Sequence, residues 1–109
     1  MTLTLDQFKQ ADLRVGVVEA CERVPDTDKL LKLSVNFGDE IGVRQIVSGI
    51  ALYLTPEEVV GKRMLFIVNL EPRVIKGLES QGMLLAVGGG ETFSYLTPTK
   101  DVPAGSQVR

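Results

Sequence analysis

Leu31, Leu33, Val35 and Phe37 alternate with Lys32, Ser34 and Asn36, the cleanest period-two pattern in the chain. It predicts a strand with one buried and one wet face. Upstream, Leu13, Val15 and Val17 alternate with Arg14, Gly16 and Val18. This predicts a long strand that continues toward Val24, until Pro25-Asp26-Thr27-Asp28 breaks it as a turn. Gly38-Asp39-Glu40 reads as a loop, and Val43 to Val47 as the returning strand of a hairpin. Met64 to Val68 is apolar without alternation, as expected of a strand covered on both faces, and Met83 to Val87 is similar. After the turn Gly88-Gly89-Gly90 comes a late short strand, Phe93 to Leu96. The tail from Pro98 to Arg109 holds two prolines and reads as extended.

Two helix starts interrupt this pattern. Thr4-Leu5-Asp6-Gln7 reads as a capping box opening a short helix through Phe8 and Ala11, with Leu5 and Phe8 on one face. Thr55 caps a second helix, Pro56 takes its first position, and Glu57 and Glu58 lie at the positive end of its dipole. Gly61 ends it after little more than a turn. Strand, strand, strand, short helix, strand, strand is the order of an all-β, five-stranded Greek-key barrel of the OB type. Residues 1–109 make one such domain, with short helices and with N- and C-terminal elements added to the barrel.

Composition then narrows the function. At 44% hydrophobic and 24% charged residues, the chain is an ordinary globular one. There is no histidine, and Cys21 is the only cysteine. The commonest general base and the commonest metal ligand are therefore missing, and no internal disulfide can form. This favours a binding module over an enzyme and implies no metal and no cofactor. Asp26 and Asp28 lack the glycine and the distal glutamate of a calcium loop. Ser48 has no histidine to activate it. The N-terminus has no basic start followed by an apolar run, and the run Met64 to Val68 is too short to cross a bilayer. The expectation is a cytoplasmic protein with no membrane partner.

The segment from Asn69 to Gly82 holds the candidate chemistry. It joins two apolar strands and is longer than a hairpin needs. Arg73 and Lys76 can pair with phosphates, and Asn69, Ser80 and Gln81 can bond phosphate, ribose or base edges. From Lys62 to Gly82 four basic residues face two acidic ones, although the whole chain carries a net charge of −2. A solvated loop with ordinary charges is the alternative. Arg14, Lys29, Lys32 and Arg44 could share one face of the barrel, where OB folds bind oligonucleotides; a merely solvated sheet face is the alternative there. Phe37, Phe66 and Phe93 fit core positions, whereas Tyr53 and Tyr95 remain open as stacking groups, and with so few aromatics single-strand stacking is not expected to be the main mode.

Five motifs in order carry a resemblance. They are Asp12-Leu13-Arg14-Val15-Gly16, Asp28-Lys29-Leu30, Gln45 to Ile50, Asn69-Leu70-Glu71-Pro72-Arg73 and Glu79 to Ala86. From about Phe8 to its end the chain resembles the tRNA-binding domain found at the C-terminus of many methionyl-tRNA synthetases, as a separate synthetase subunit, or as a free-standing tRNA-binding protein. The resemblance implies an OB-fold, homodimerisation through the terminal elements, and a non-catalytic role binding tRNA by shape for a synthetase chain. Carried onto matching positions, the implied tRNA contacts are Arg14, Lys29, Asn69, Arg73, Lys76, Ser80, Gln81 and Met83. The chain departs from the pattern in its acidic balance and at Glu71, where some relatives carry lysine. A related branch of dimeric, export-associated chaperones resembles it less, because the Asp28-Lys29-Leu30 and Ser80-Gln81-Gly82-Met83 motifs are closer to the synthetase branch.

Overall fold

Both helix starts form as capping boxes. In α1 (Leu5–Lys9) the Thr4 Oγ1 accepts from the Gln7 amide at 3.1 Å, and the Gln7 side chain accepts from the Thr4 amide at 2.8 Å. The computed structural model describes residues 1–109, and in it α1 stops at Lys9, short of Ala11, with no residue buried. The helix that Thr55 caps, described below, closes its box through Glu58, whose carboxyl is held below the usual carboxylate range by the Thr55 backbone amide.

The strand β1 (Leu13–Arg23) is the spine of the barrel. It is followed by β2 (Leu31–Asn36), the single turn α2 (Gly38–Ile41), β3 (Val43–Ser48), α3 (Pro56–Val59) and β4 (Arg63–Ile67). The segment read as a long loop contains a hairpin of β5 (Arg73–Ile75) and β6 (Leu78–Ser80). Then come β7 (Met83–Leu84), β8 (Ala86–Val87) and β9 (Ser94–Tyr95). The main sheet has the order β3-β2-β1-β4-β7, which is the five-stranded, OB-like architecture expected. The first part of β1, Leu13 to Val17, pairs with β4, and Val17 to Arg23 pairs with β2. A bulge between Val18 and Ala20 bends the strand between these partners.

Closure of the barrel does not use a regular ladder. Between β3 and the chain from β6 to β7, the Gln81 amide donates to the Gln45 carbonyl at 2.8 Å. The Gln45 amide donates to the Gln81 side-chain oxygen at 2.9 Å, and the Val47 amide donates to Ser80 Oγ at 3.0 Å. Side-chain oxygens thus stand in for strand carbonyls along this seam. The tail makes a second addition. Gly105 donates to the Val15 carbonyl, Val15 donates to the Ser106 carbonyl, and Val108 donates to the Leu13 carbonyl. It covers the stretch of β1 that lies beyond β2.

The alternation in β2 places Leu31, Leu33 and Val35 in the core, all at 0% exposure. Phe37 and Phe66 meet edge to face at 5.3 Å in its centre. Each such buried side chain contributes about 1.5–3 kcal/mol. Gly16 lets these neighbours approach, since a Cβ there would lie 2.4 Å from Val35 and 2.7 Å from Phe37.

Three further expectations change. Gly38-Asp39-Glu40 is a helical turn and not an open loop. The strand β4 does alternate: Met64 and Phe66 are buried, while Leu65 and Ile67 are half-covered on the side that the C-terminal segment reaches. Met83 to Val87 is not one buried strand. It divides between two sheets at Leu85, leaving Met83 38% and Val87 51% exposed. No helix is long and apolar enough to cross a membrane.

Candidate nucleic-acid interface

The β5–β6 hairpin turns on two residues, Lys76 (φ 51°) and Gly77 (φ 79°), between the paired Ile75 and Leu78. Two successive positive φ angles are the geometry of a tight hairpin turn, whose twist matches that of its strands. The turn holds Lys76 at the hairpin tip, against the connection from β1 to β2. There Ile75 and Lys76 line a cleft of about 380 Å³ with residues Asp26 to Leu30. The structure therefore brings Lys29 and Lys76 together, although they are far apart in sequence. Asp26 (φ 60°), in the same cleft, is the only other non-glycine residue with positive φ. Left-handed backbone in such residues costs energy, so both sides of the cleft are held in demanding shapes.

Lys29, Lys76 and Arg73 are exposed and form no ion pair or side-chain hydrogen bond within the chain. Asp26 and Asp28 are equally unpaired, so the cleft carries both signs of charge.

The other expected contacts lie elsewhere or are engaged. Arg14 is at the opposite end of β1 from Lys29, and its side chain is only 13% exposed. Its guanidinium bonds Asp12 at 2.6 Å, the Gly105 carbonyl at 3.2 Å and Glu40 at 3.4 Å. The hydrogen bond to Asp12 is the largest cause of its raised pKa, which locks the charge in place. Asn69 clips the chain entering β1, accepting from the Asp12 amide at 2.8 Å and donating to the Gln10 carbonyl at 2.6 Å. Ser80 is 1% exposed, and its hydroxyl donates to the Gly82 carbonyl at 2.9 Å while accepting from Val47. The hydroxyl is thus inside the protein, with both of its hydrogen-bonding roles taken by backbone groups. Gln81 is tied to Gln45 in the barrel seam. Met83 remains exposed on β7.

The shared basic face also divides. Lys32 pairs with Glu22 at 2.6 Å, and Arg44 donates to the Val68 carbonyl at 2.6 Å. Lys62 and Arg63 lie at the start of β4, roughly 20–23 Å of extended chain from Asn69. Arg63 is held there by the Val102 carbonyl at 2.8 Å. The positive stretch read from Lys62 to Gly82 is therefore not one patch.

A second groove, of about 450 Å³, crosses β1, β2 and β3 and holds Cys21 beside the Glu22–Lys32 pair. Burial first, then the charges of Glu57 and Glu22, push the Cys21 thiol up to about 11. Only the thiolate reacts, so iodoacetamide is expected to alkylate Cys21 about 100-fold more slowly at pH 8 than it alkylates an unstructured cysteine, with the rate climbing toward pH 11. An alkylation rate at pH 8 equal to that of the unfolded chain would contradict this environment.

Residues 13–107 match the family described as "Putative tRNA binding domain". The chain is 54% identical over 97% of its length to a methionine–tRNA ligase of Methanocorpusculum labreanum. It spans 15% of that relative's length, so the likeness concerns one part of a much longer protein. Among solved structures, a MetRS-related protein from Pyrococcus horikoshii superposes with a TM-score of 0.92 at 37% identity, covering 100% of this chain and 99% of that one. The chaperone CsaA from Bacillus anthracis superposes with a TM-score of 0.87 at 27% identity, with 100% of both chains covered. A barrel with a cationic hairpin tip, matched to this family from the start of its first strand to its tail, belongs to the tRNA-binding domain family.

Proposed function

We propose that the chain is a non-catalytic module that binds tRNA for a methionyl-tRNA synthetase in the cytoplasm, as a part of that enzyme or beside it. The observation that carries this reading is the meeting of Lys29 and Lys76 in one cleft, with Arg73 free on the same hairpin. Ammonium and guanidinium groups without internal partners can neutralise phosphates and release condensed counterions. Such contacts position an RNA by the spacing of its backbone and carry little sequence information. Nothing here needs a reacting group: the module would raise the local concentration of tRNA near a catalytic site supplied by another chain or domain.

The active form is a homodimer. Leu3, Leu5 and Phe8, around α1, are 55%, 66% and 41% exposed, and no residue of α1 is buried by its own chain. A second copy covering this helix would bury the apolar surface and present two RNA sites, with a gain in avidity.

Titration of tRNA by filter binding across a salt series, with light scattering on the same sample, tests the reading. Affinity is expected to fall steeply with salt. Arg73→Ala with Lys76→Ala should weaken binding at every salt concentration and reduce the slope of log K against log salt by about 2, one per lost phosphate contact. Because both side chains are exposed and unpaired, stability should stay within about 0.5 kcal/mol of the parent. Absence of binding at low salt would overturn the proposal. The likeness to the chaperone CsaA supports a second reading, a chaperone of the same fold. Suppression of aggregation by a protein that fails to bind tRNA would favour it.

A further inference from the structure

Tyr53 and Phe93 lie face to face, ring centroids 4.3 Å apart and planes 8° from parallel. The two residues come from distant parts of the chain, the turn after β3 and the end of the glycine-rich turn before β9. Phe93 packs on the hydrophobic core and is itself partly buried. Tyr53 lies outside it and keeps 40% of its surface exposed. Its turn is tied to the core, with the Tyr53 and Leu54 amides both donating to the carbonyl of the buried Ile50 at 3.0 Å. The result is a flat aromatic group held at a fixed angle on a core-backed support.

Its position gives this group a use. The Ala51 amide, two residues before Tyr53, donates to the Lys29 carbonyl at 2.9 Å. The turn carrying Tyr53 is therefore bonded to the connection that lines the Lys29–Lys76 cleft. One rim of the barrel thus runs from a pair of free cations to an exposed ring. We propose that this ring is a stacking platform for an unpaired nucleobase of the RNA whose phosphates lie against Lys29 and Lys76. The inference rests on the tRNA-binding reading and adds to it a contact with single-stranded nucleotides. A preformed ring loses little conformational freedom on stacking, and every base offers a π face, so the contact tolerates any sequence. It also discriminates: a base already paired in a helix is not available to it.

The test compares Tyr53→Leu and Tyr53→Phe with the parent protein, titrating tRNA across a salt series. Leucine keeps an apolar cover over Phe93 and removes the stacking surface, whereas phenylalanine keeps the ring. Tyr53→Leu is expected to lose about tenfold in affinity with an unchanged salt slope, because stacking releases no counterions. Tyr53→Phe should bind like the parent. Parent-like affinity in a folded Tyr53→Leu protein would overturn the platform while leaving the phosphate contacts standing. Failure of the parent to bind tRNA at low salt would remove both. Should Tyr53→Leu not fold, the parent itself gives the answer by NMR. On adding a single-stranded oligoribonucleotide, the ring protons of Tyr53 should move upfield and those of Tyr95 should not. Unmoved Tyr53 signals at saturation would overturn the proposal.

Discussion

Ser80→Ala is expected to lower stability by roughly 2–4 kcal/mol, the largest loss anticipated from deleting any one polar group among the residues that the sequence suggests as tRNA contacts. The hydroxyl of Ser80 accepts from the Val47 amide and donates to the Gly82 carbonyl, at 1% exposure. Alanine fills almost the same space, so no cavity explains a loss. Instead, two backbone groups lose their partner where water does not reach, and each carries a desolvation cost of about 1–3 kcal/mol. For a domain of this size the shift in Tm is roughly 10–20 °C, measurable by circular dichroism. The exposed Arg73, which faces Ser80 across the hairpin, is the internal control. A Ser80→Ala protein that melts with the parent would mean that the seam closes without its side chains.

Gly105→Ala should free the tail. Gly105 has φ 88°, and a Cβ there would stand 2.2 Å from the Phe37 carbonyl oxygen. The left-handed backbone alone costs an L-residue about 1–2 kcal/mol. The clash adds to this, because its partner is backbone and not the end of a flexible side chain. Relief requires the tail to lift from β1, releasing three backbone hydrogen bonds and the Arg14 contact with the Gly105 carbonyl. A global loss of about 2–3 kcal/mol is expected, together with faster amide exchange at Val15 and Val108. Unchanged protection at both amides would show that the tail accommodates alanine in place.

The barrel was legible where local pattern and tertiary burial agree. Leu31, Leu33 and Val35 alternate because one face of β2 is core, and the two capping boxes need only four consecutive residues each. The β5–β6 hairpin was hidden because its turn begins with lysine in a left-handed conformation, where asparagine or glycine is the usual signal. Met83 to Val87 misled because apolar composition does not reveal that a strand changes sheets at Leu85. The candidate site was legible by chemistry but not by direction. Serine, glutamine and asparagine suit RNA and barrel closure equally well. Ser80, Gln81 and Asn69 find their partners at Val47, Gln45 and Asp12, 33, 36 and 57 positions away, and no local spacing reports such distances. Arg73 and Lys76 are legible as candidate phosphate contacts because charge in a segment between two apolar strands is a local property, whereas the hairpin that carries them is not.

The seam closed by Ser80 and Gln81 has an evolutionary consequence. Residues that most resemble a binding signature are committed to architecture, so their replacement is penalised through folding whatever the protein binds. Lys29, Arg73, Lys76 and Tyr53 carry no such duty toward the seam and can drift at little structural cost. A lineage can therefore exchange cations for acids on the hairpin tip, or remove the ring, and retain the same barrel. Descendants with different partners would then share their most recognisable motif while differing at the positions proposed to touch those partners.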